Sequence, residues 1–204
     1  MAHESPAVLT EVTGPAAIIR FNRPRERNPL SRSTLSELQA ALRLILPRPD
    51  LRFIIFTGTA DIFLSGAHIR ELAELSHSGA LEFSNLGQEL FQTISEARQT
   101  TIAAINGYCM GGGLDLALAC DIRIASPDAV FAHPGARLGI ITGWGGTQRL
   151  TRLIGKAASL EMLLTAGRVS SAEALRLGMI SRVSGQPLES AIALAATSLQ
   201  APNP

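Results

Sequence analysis

The chain has 204 residues, enough for one domain with a sizeable core, whereas two compact domains would each be small. Hydrophobic residues make up 46% and charged residues 17%, a globular composition that excludes a disordered chain. The formal net charge is +1, and the arginines are scattered (Arg20, Arg23, Arg25, Arg27, Arg32 and onward) without a basic run, so nucleic acid and acidic membrane surfaces are not expected partners.

The first six residues carry no basic segment leading into an apolar one, so no signal peptide is expected. Apolar runs at 8–12 and 16–21 flank Thr13-Gly14-Pro15 and predict a hairpin. Two prolines, Pro24 and Pro29, break regular structure over 22–29. A helix is predicted over 34–46, with Leu35, Leu38, Leu42 and Ile45 on one face, ended by Pro47 and Pro49. The run 53–58 reads as a strand apolar on both faces, as a sheet covered by helices requires. A short helix to about 75 follows, then a polar break over 76–79. A longer helix comes next, with Leu81, Leu86, Leu90 and Ile94 near helical spacing.

Residues 101–105 form another apolar strand, and 114–119 and 121–125 read as a helix and a strand. Asp115 is the only charge from 101 to 120, but Asn106 and three glycines interrupt that stretch, which argues against a membrane span. Cys109 and Cys120 match no metal spacing and read as buried packing thiols; they point to a reducing, cytoplasmic compartment. Helices over 147–153, 156–165, 171–177 and 188–199 complete an α/β pattern with no internal repeat.

The segment that bears on chemistry is Ala104-Ile105-Asn106-Gly107-Tyr108-Cys109-Met110-Gly111-Gly112-Gly113-Leu114-Asp115. A buried strand feeds three glycines and then a helix. The first N–H groups of that helix lack internal acceptors, and glycines let a ligand approach them, which is the recipe for half of an oxyanion hole. Tight helix–strand packing is the other reading of the triplet. It is not a nucleotide phosphate loop, because the spacing and the Lys-Ser/Thr ending are absent.

Upstream lies Phe63-Leu64-Ser65-Gly66-Ala67-His68-Ile69-Arg70, and downstream Gly139-Ile140-Ile141-Thr142-Gly143-Trp144-Gly145-Gly146-Thr147-Gln148-Arg149-Leu150. With Asn22-Arg23-Pro24, Asn28-Pro29-Leu30, Ala172-Glu173-Ala174 and Gly178-Met179-Ile180, the chain resembles the enoyl-CoA hydratase/isomerase (crotonase) superfamily from about 8 to 183. The resemblance implies a single crotonase-like (ClpP/crotonase) domain over 1–204: a spiral of ββα units with outer helices and a shortened helical C-terminus over 184–204. It implies an acyl-CoA substrate, with coenzyme A as part of the substrate and no tightly bound cofactor or metal. A homotrimer, or a hexamer built as a dimer of trimers, is the implied assembly. The oxyanion donors carried over are the N–H groups of Ala67 and Gly112. Arg25, Arg27, Ala67, His68, Ile69, Arg70, Gly111 and Gly112 are the implied substrate contacts, although the two loop arginines read equally as solvated surface.

Hydratases of this family use two glutamates. The first position here is Asp115, and the second, twenty residues on, is Gly135. The chain is therefore expected to use Asp115 as its main acid/base group, with His133 the next candidate; their structural readings are a helix-start carboxylate and a strand-end histidine. His68, beside the Ala67 donor, is a third candidate for proton transfer. One carboxylate suits isomerisation, decarboxylation or thioester hydrolysis as well as hydration. Loss of the second also suits an acyl-CoA-binding protein with weak turnover.

Overall fold

The turn Gly14-Pro15 closes the predicted hairpin, β1 (Val8–Thr13) against β2 (Ala16–Phe21), paired antiparallel with Thr13 opposite Ala16. In the computed structural model, which describes residues 5–197, this hairpin starts the larger of two main sheets. Strands β4 (Phe53–Thr57), β7 (Thr100–Ile105), β9 (Ile122–Ala125) and β12 (Arg182–Val183) follow β2 across it, each parallel to its neighbour. Every residue of β4 is buried, because both faces of the sheet are covered. Ile54 and Phe56 face the main core, while Phe53 and Ile55 join Ile18, Ile102 and Ile124 in a second layer closed by α8 (Pro187–Thr197).

A smaller sheet is built from β5 (Ile62–Leu64), β8 (Tyr108–Met110), β10 (Val130–Ala132) and β11 (Val169–Ser170), in the order β11-β10-β8-β5. The chain alternates between the sheets: β4 leads to β5, β7 to β8 and β9 to β10, with helices after each pair. That is the implied ββα spiral. Between β5 and the helices, β6 (Gly66–Ala67) pairs in parallel with β3 (Pro29–Leu30). The helices are α1 (Arg32–Ile45), α2 (Ile69–Glu74), α3 (His77–Ser95), α4 (Gly112–Ala119), α5 (Gly146–Ile154), α6 (Lys156–Thr165) and α7 (Ser171–Arg176).

Several boundaries differ from the periodicity, each for a local reason. The first helix starts at Arg32 rather than 34, because the Ser31 hydroxyl accepts the Thr34 N–H at 3.1 Å and caps it. The polar stretch 76–79 is not a break: Ser76 is a cap whose hydroxyl accepts the Gly79 N–H, and α3 begins at His77. Its buried face is Phe83, Gly87, Leu90, Phe91 and Ile94, whereas Leu81 is exposed and Leu86 half-buried. The segment 22–29 holds a 3-10 turn, Pro24–Glu26, and Asn28 at φ 48°. The Asn28 side-chain amide donates to the carbonyls of Ile62 and Phe63, which ties this turn to β5.

The expected tail of the last helix at 198–199 lies outside the described residues, as do 1–4 and 200–204. Among the described residues, no helix is long and apolar enough to cross a membrane.

Candidate active site

Gly111 follows β8 at φ 51°, ψ −122°, and turns the chain into α4, which starts at Gly112 rather than at 114. The Gly111 N–H donates to the Ala132 carbonyl at 2.9 Å, and the Asp115 N–H closes the first turn onto the Gly111 carbonyl at 3.0 Å. The Gly112 N–H, at the first helical position, has no acceptor inside the helix. Strand β6 passes directly over this turn. A Cβ placed on Gly66 would sit 2.9 Å from the Met110 carbonyl oxygen and 3.1 Å from the Gly112 nitrogen, so the two backbones meet without side chains between them.

Strand β6 meets β3 through the parallel pairs Pro29–Gly66 and Leu30–Ala67, and the Ser65 N–H just before it donates to the Asn28 carbonyl at 3.3 Å, while Pro29 has no N–H to give. Ala67, Gly111 and Gly112 together line a cavity of about 370 Å³.

Ile69, Asp115 and His133 line the same cavity. The rest of its wall is largely apolar, including Leu72, Phe83, Ile140 and Trp144. Arg25, Arg27, His68 and Arg70 lie outside that lining. Arg25, Arg27 and Arg70 are exposed, with the Arg27 guanidinium 5.9 Å from the centre of the Tyr108 ring. The His68 Nδ1 accepts the Glu71 N–H at 3.3 Å and caps α2.

Asp115 is fully buried on α4 and is the one acidic side chain among the described residues lining the cavity. Burial pushes its carboxyl from 3.8 up to about 7, against the opposing pull of the Thr142 hydroxyl, the Arg149 charge and the Trp144 backbone. Its Oδ2 accepts a hydrogen bond from Thr142, and its Oδ1 has no hydrogen-bond partner. The start of α5 presses on the same carboxylate, since a methyl at Gly146 would overlap Oδ1 at 1.9 Å.

His133 follows β10 and is 3% exposed, with both ring nitrogens unpartnered. Its Nε2 lies 3.5 Å from Asp115 Oδ1, within ion-pair reach. Burial lowers the His133 pKa to about 4 while Asp115 is raised, so at neutral pH the ring is uncharged and the contact is not an ion pair. Cys109 and Cys120 are buried, and burial raises both thiols, Cys120 to about 12. Neither is a thiolate at neutral pH.

Gly135 also borders the cavity, but its backbone is folded tightly. Within the 3-10 turn Pro134–Leu138 its carbonyl accepts the Ile140 N–H, and a Cβ there would meet the Ile140 carbonyl oxygen at 2.7 Å. A glutamate at this position requires the 134–140 segment to move.

Two wall residues escaped the sequence reading. Thr142 and Trp144 stand in the downstream glycine-rich segment, yet nothing local marks the threonine as a partner for a carboxylate 27 residues away. An indole amid five small residues was the readable signal for Trp144. Among the described residues, no group of three His, Cys, Asp or Glu side chains is placed to hold a metal.

Comparison with known proteins gives a consistent result. The sequence profile described as Enoyl-CoA hydratase/isomerase matches residues 12–203. A crotonyl-CoA hydratase of Syntrophomonas wolfei is 39% identical over 184 residues, covering 90% of this chain and 70% of that protein. A short-chain-enoyl-CoA hydratase of Clostridium acetobutylicum is 37% identical over 177 residues, covering 86% and 68%. The crystal structure of an enoyl-CoA hydratase from Bacillus anthracis superposes with a TM-score of 0.90 at 35% identity, over 94% of this chain and 76% of that one.

Proposed function

The chain belongs to the enoyl-CoA hydratase/isomerase family, and on that premise we propose that it is an acyl-CoA enzyme that forms a thioester enolate and moves its proton with one carboxylate, Asp115. The observation that carries this reading is the Asp115 carboxyl itself: buried, bound at Oδ2, free at Oδ1, and at about 7 rather than 3.8. A group poised near neutrality takes a proton and returns it with little bias, which is what general acid/base catalysis asks of a single residue.

In this reading the thioester carbonyl oxygen accepts from the N–H groups of Ala67 and Gly112. Negative charge grows on that oxygen as the α-proton leaves, so fixed donors aimed there stabilise the transition state more than the substrate. Asp115 removes the α-proton. Returning it to the γ-carbon moves the double bond from the 3- to the 2-position, and no second carboxylate is needed. The apolar wall of the cavity takes the acyl chain, and the coenzyme A part runs over Arg25, Arg27, His68 and Arg70.

Hydration is the second reading, favoured by the unpartnered His133 Nε2 at 3.5 Å from Asp115 Oδ1. A water held by that neutral ring and activated by the carboxylate would add across a 2-enoyl thioester.

Mass analysis of products from 3-butenoyl-CoA, crotonyl-CoA and malonyl-CoA tests the proposal. The expected result is conversion of the 3-enoyl to the 2-enoyl thioester, slowed by roughly 10²–10⁴ in Asp115→Asn. Hydration of crotonyl-CoA that needs both Asp115 and His133 favours the second reading. Loss of CO₂ from malonyl-CoA identifies a decarboxylase. Turnover indifferent to Asp115→Asn, or saturable binding without product, overturns the proposal.

A further inference from the structure

Asp115 is 0% exposed, and its two oxygens face different surroundings. Oδ1 lies 3.5 Å from the Nε2 of His133, a residue of the cavity wall, and against Gly146 of α5, while Oδ2 is held by the Thr142 hydroxyl. Thr142 is half-buried and borders two spaces at once: the apolar cavity, and a separate polar groove on the far side of the 142–145 segment. Gln88, Glu89, Gln92, Glu96 and Arg152 line that groove. An acyl chain seated in the apolar cavity excludes water from the Oδ1 side. The carboxyl would then be cut off from solvent on that face, yet its Oδ2 stays bonded to Thr142, a residue that also borders the groove.

Resting on the enolate reading above, we infer that the Thr142 hydroxyl is the path by which Asp115 exchanges its proton with solvent, through the polar groove and not through the substrate cavity. A hydroxyl both donates and accepts, so it can hand on a proton without net change. As Thr142 Oγ1 takes a proton from a hydronium ion in the groove, the hydroxyl's own proton passes to Oδ2. Carboxylate and hydronium become carboxylic acid and water, and the reverse steps release the proton.

The other groups around Asp115 do not supply this path. His133 lines the cavity that substrate fills. The Cys109 thiol, raised well above its usual range by burial, stays protonated inside the core. Arg149 is charged and donor-only; it is engaged with the Trp144 carbonyl at 3.0 Å and the Gln92 side chain at 3.1 Å. The Trp144 indole N–H is given to the Phe83 carbonyl.

Hydrogen exchange at the α-carbon of butyryl-CoA in D₂O, followed by mass, tests this without requiring any product to form. In the wild-type protein, proton abstraction limits exchange, which therefore shows a primary isotope effect. In Thr142→Val, exchange is expected to slow about tenfold or more. Its isotope effect should collapse towards one, because exchange of the abstracted proton between Asp115 and solvent becomes the slow step. Thr142→Ser, which keeps the hydroxyl, should restore both.

A Thr142→Val protein that exchanges at the wild-type rate overturns the inference. So does one that slows with its isotope effect intact, since Thr142 then only orients the carboxylate. If Asp115→Asn abolishes exchange while Thr142→Val does not, the relay falls and the reading of Asp115 stands. Absence of exchange in the wild-type protein overturns both.

Discussion

At Asp115 the folded chain keeps a proton that the unfolded chain has released, because burial lifts the carboxyl from 3.8 to about 7. Across that window the unfolded state binds fewer protons, so this group makes stability fall as pH rises. At His133 the sign is opposite. Burial lowers the ring from 6.5 to about 4, the unfolded chain holds the extra proton, and stability rises with pH between those values. From about pH 4 to 6.5 the two slopes cancel, as folding in effect moves one proton from the histidine to the aspartate. Asp115→Asn removes one side of that balance. The variant is expected to gain stability between pH 4 and 6.5, relative to the wild-type trend, by on the order of 3 kcal/mol. Urea denaturation at several pH values measures it, and parallel curves for the two proteins would show that the pair does not trade a proton.

At the scale of elements, the docking of the 142–145 segment onto α3 and α4 has an unusual construction. The Trp144 indole lies between two glycines: a Cβ on Gly87 would meet its Nε1 at 2.2 Å, and one on Gly112 its Cζ3 at 2.4 Å. Phe83 and Phe91 pack edge-on against the same ring, with centroids at 5.2 and 5.5 Å. Gly87→Ala therefore sets two effects against each other. Helix propensity favours alanine by about 1 kcal/mol, while overpacking against a fixed indole costs about 1–3 kcal/mol or more. We expect net destabilisation in the wild-type background and stabilisation once Trp144 is also alanine. A double-mutant cycle by chemical denaturation reads this sign reversal, and additive effects would refute it.

The same helix shows why the sequence was only partly legible. The spacing of Leu81, Leu86, Leu90 and Ile94 located α3 and its buried C-terminal half, Leu90 and Ile94, but Leu81 is exposed and Leu86 only half-buried. The true face includes Gly87, which has no hydrophobic signal until Trp144 is known to land there. The long buried strands β4 and β7 announced themselves by composition, as did the three glycines at the start of α4. Strands β5, β6, β8 and β10 have two or three residues each, too few for any period, though two of them carry the Ala67 and glycine-triplet ends of the cavity wall. Asp115 was readable from its place after the glycines. Its hydrogen bond to Thr142 was not, because it depends on how α5 folds back onto α4.

For the molecule as a whole, the large sheet is covered twice, and the two coverings do different work. The main core lies between the sheets and the helices that carry the cavity; among the described residues, α8 is the helix that covers Ile18, Ile55, Ile102 and Ile124 in the second layer. Ala191 and Ala195 sit at the centre of that contact, almost fully buried, with Leu188, Ile192 and Leu194 packed around them. Ala191→Glu would place a carboxylate against aliphatic side chains with no partner, at a cost of several kcal/mol after protonation is allowed for. A domain of ordinary stability has about 5–15 kcal/mol in all, so that single change removes a large part of it. Ala193 lies on the exposed side of the same helix, and Ala193→Glu should stay within about 0.5 kcal/mol of wild type. Because the second layer faces away from the cavity, Ala191→Glu protein that is still folded should retain wild-type affinity for acyl-CoA while its thermal midpoint drops. Equal midpoints for the two variants would mean that α8 does not close the sheet. Weakened binding in the folded Ala191→Glu protein would mean that the two faces of the sheet are mechanically coupled.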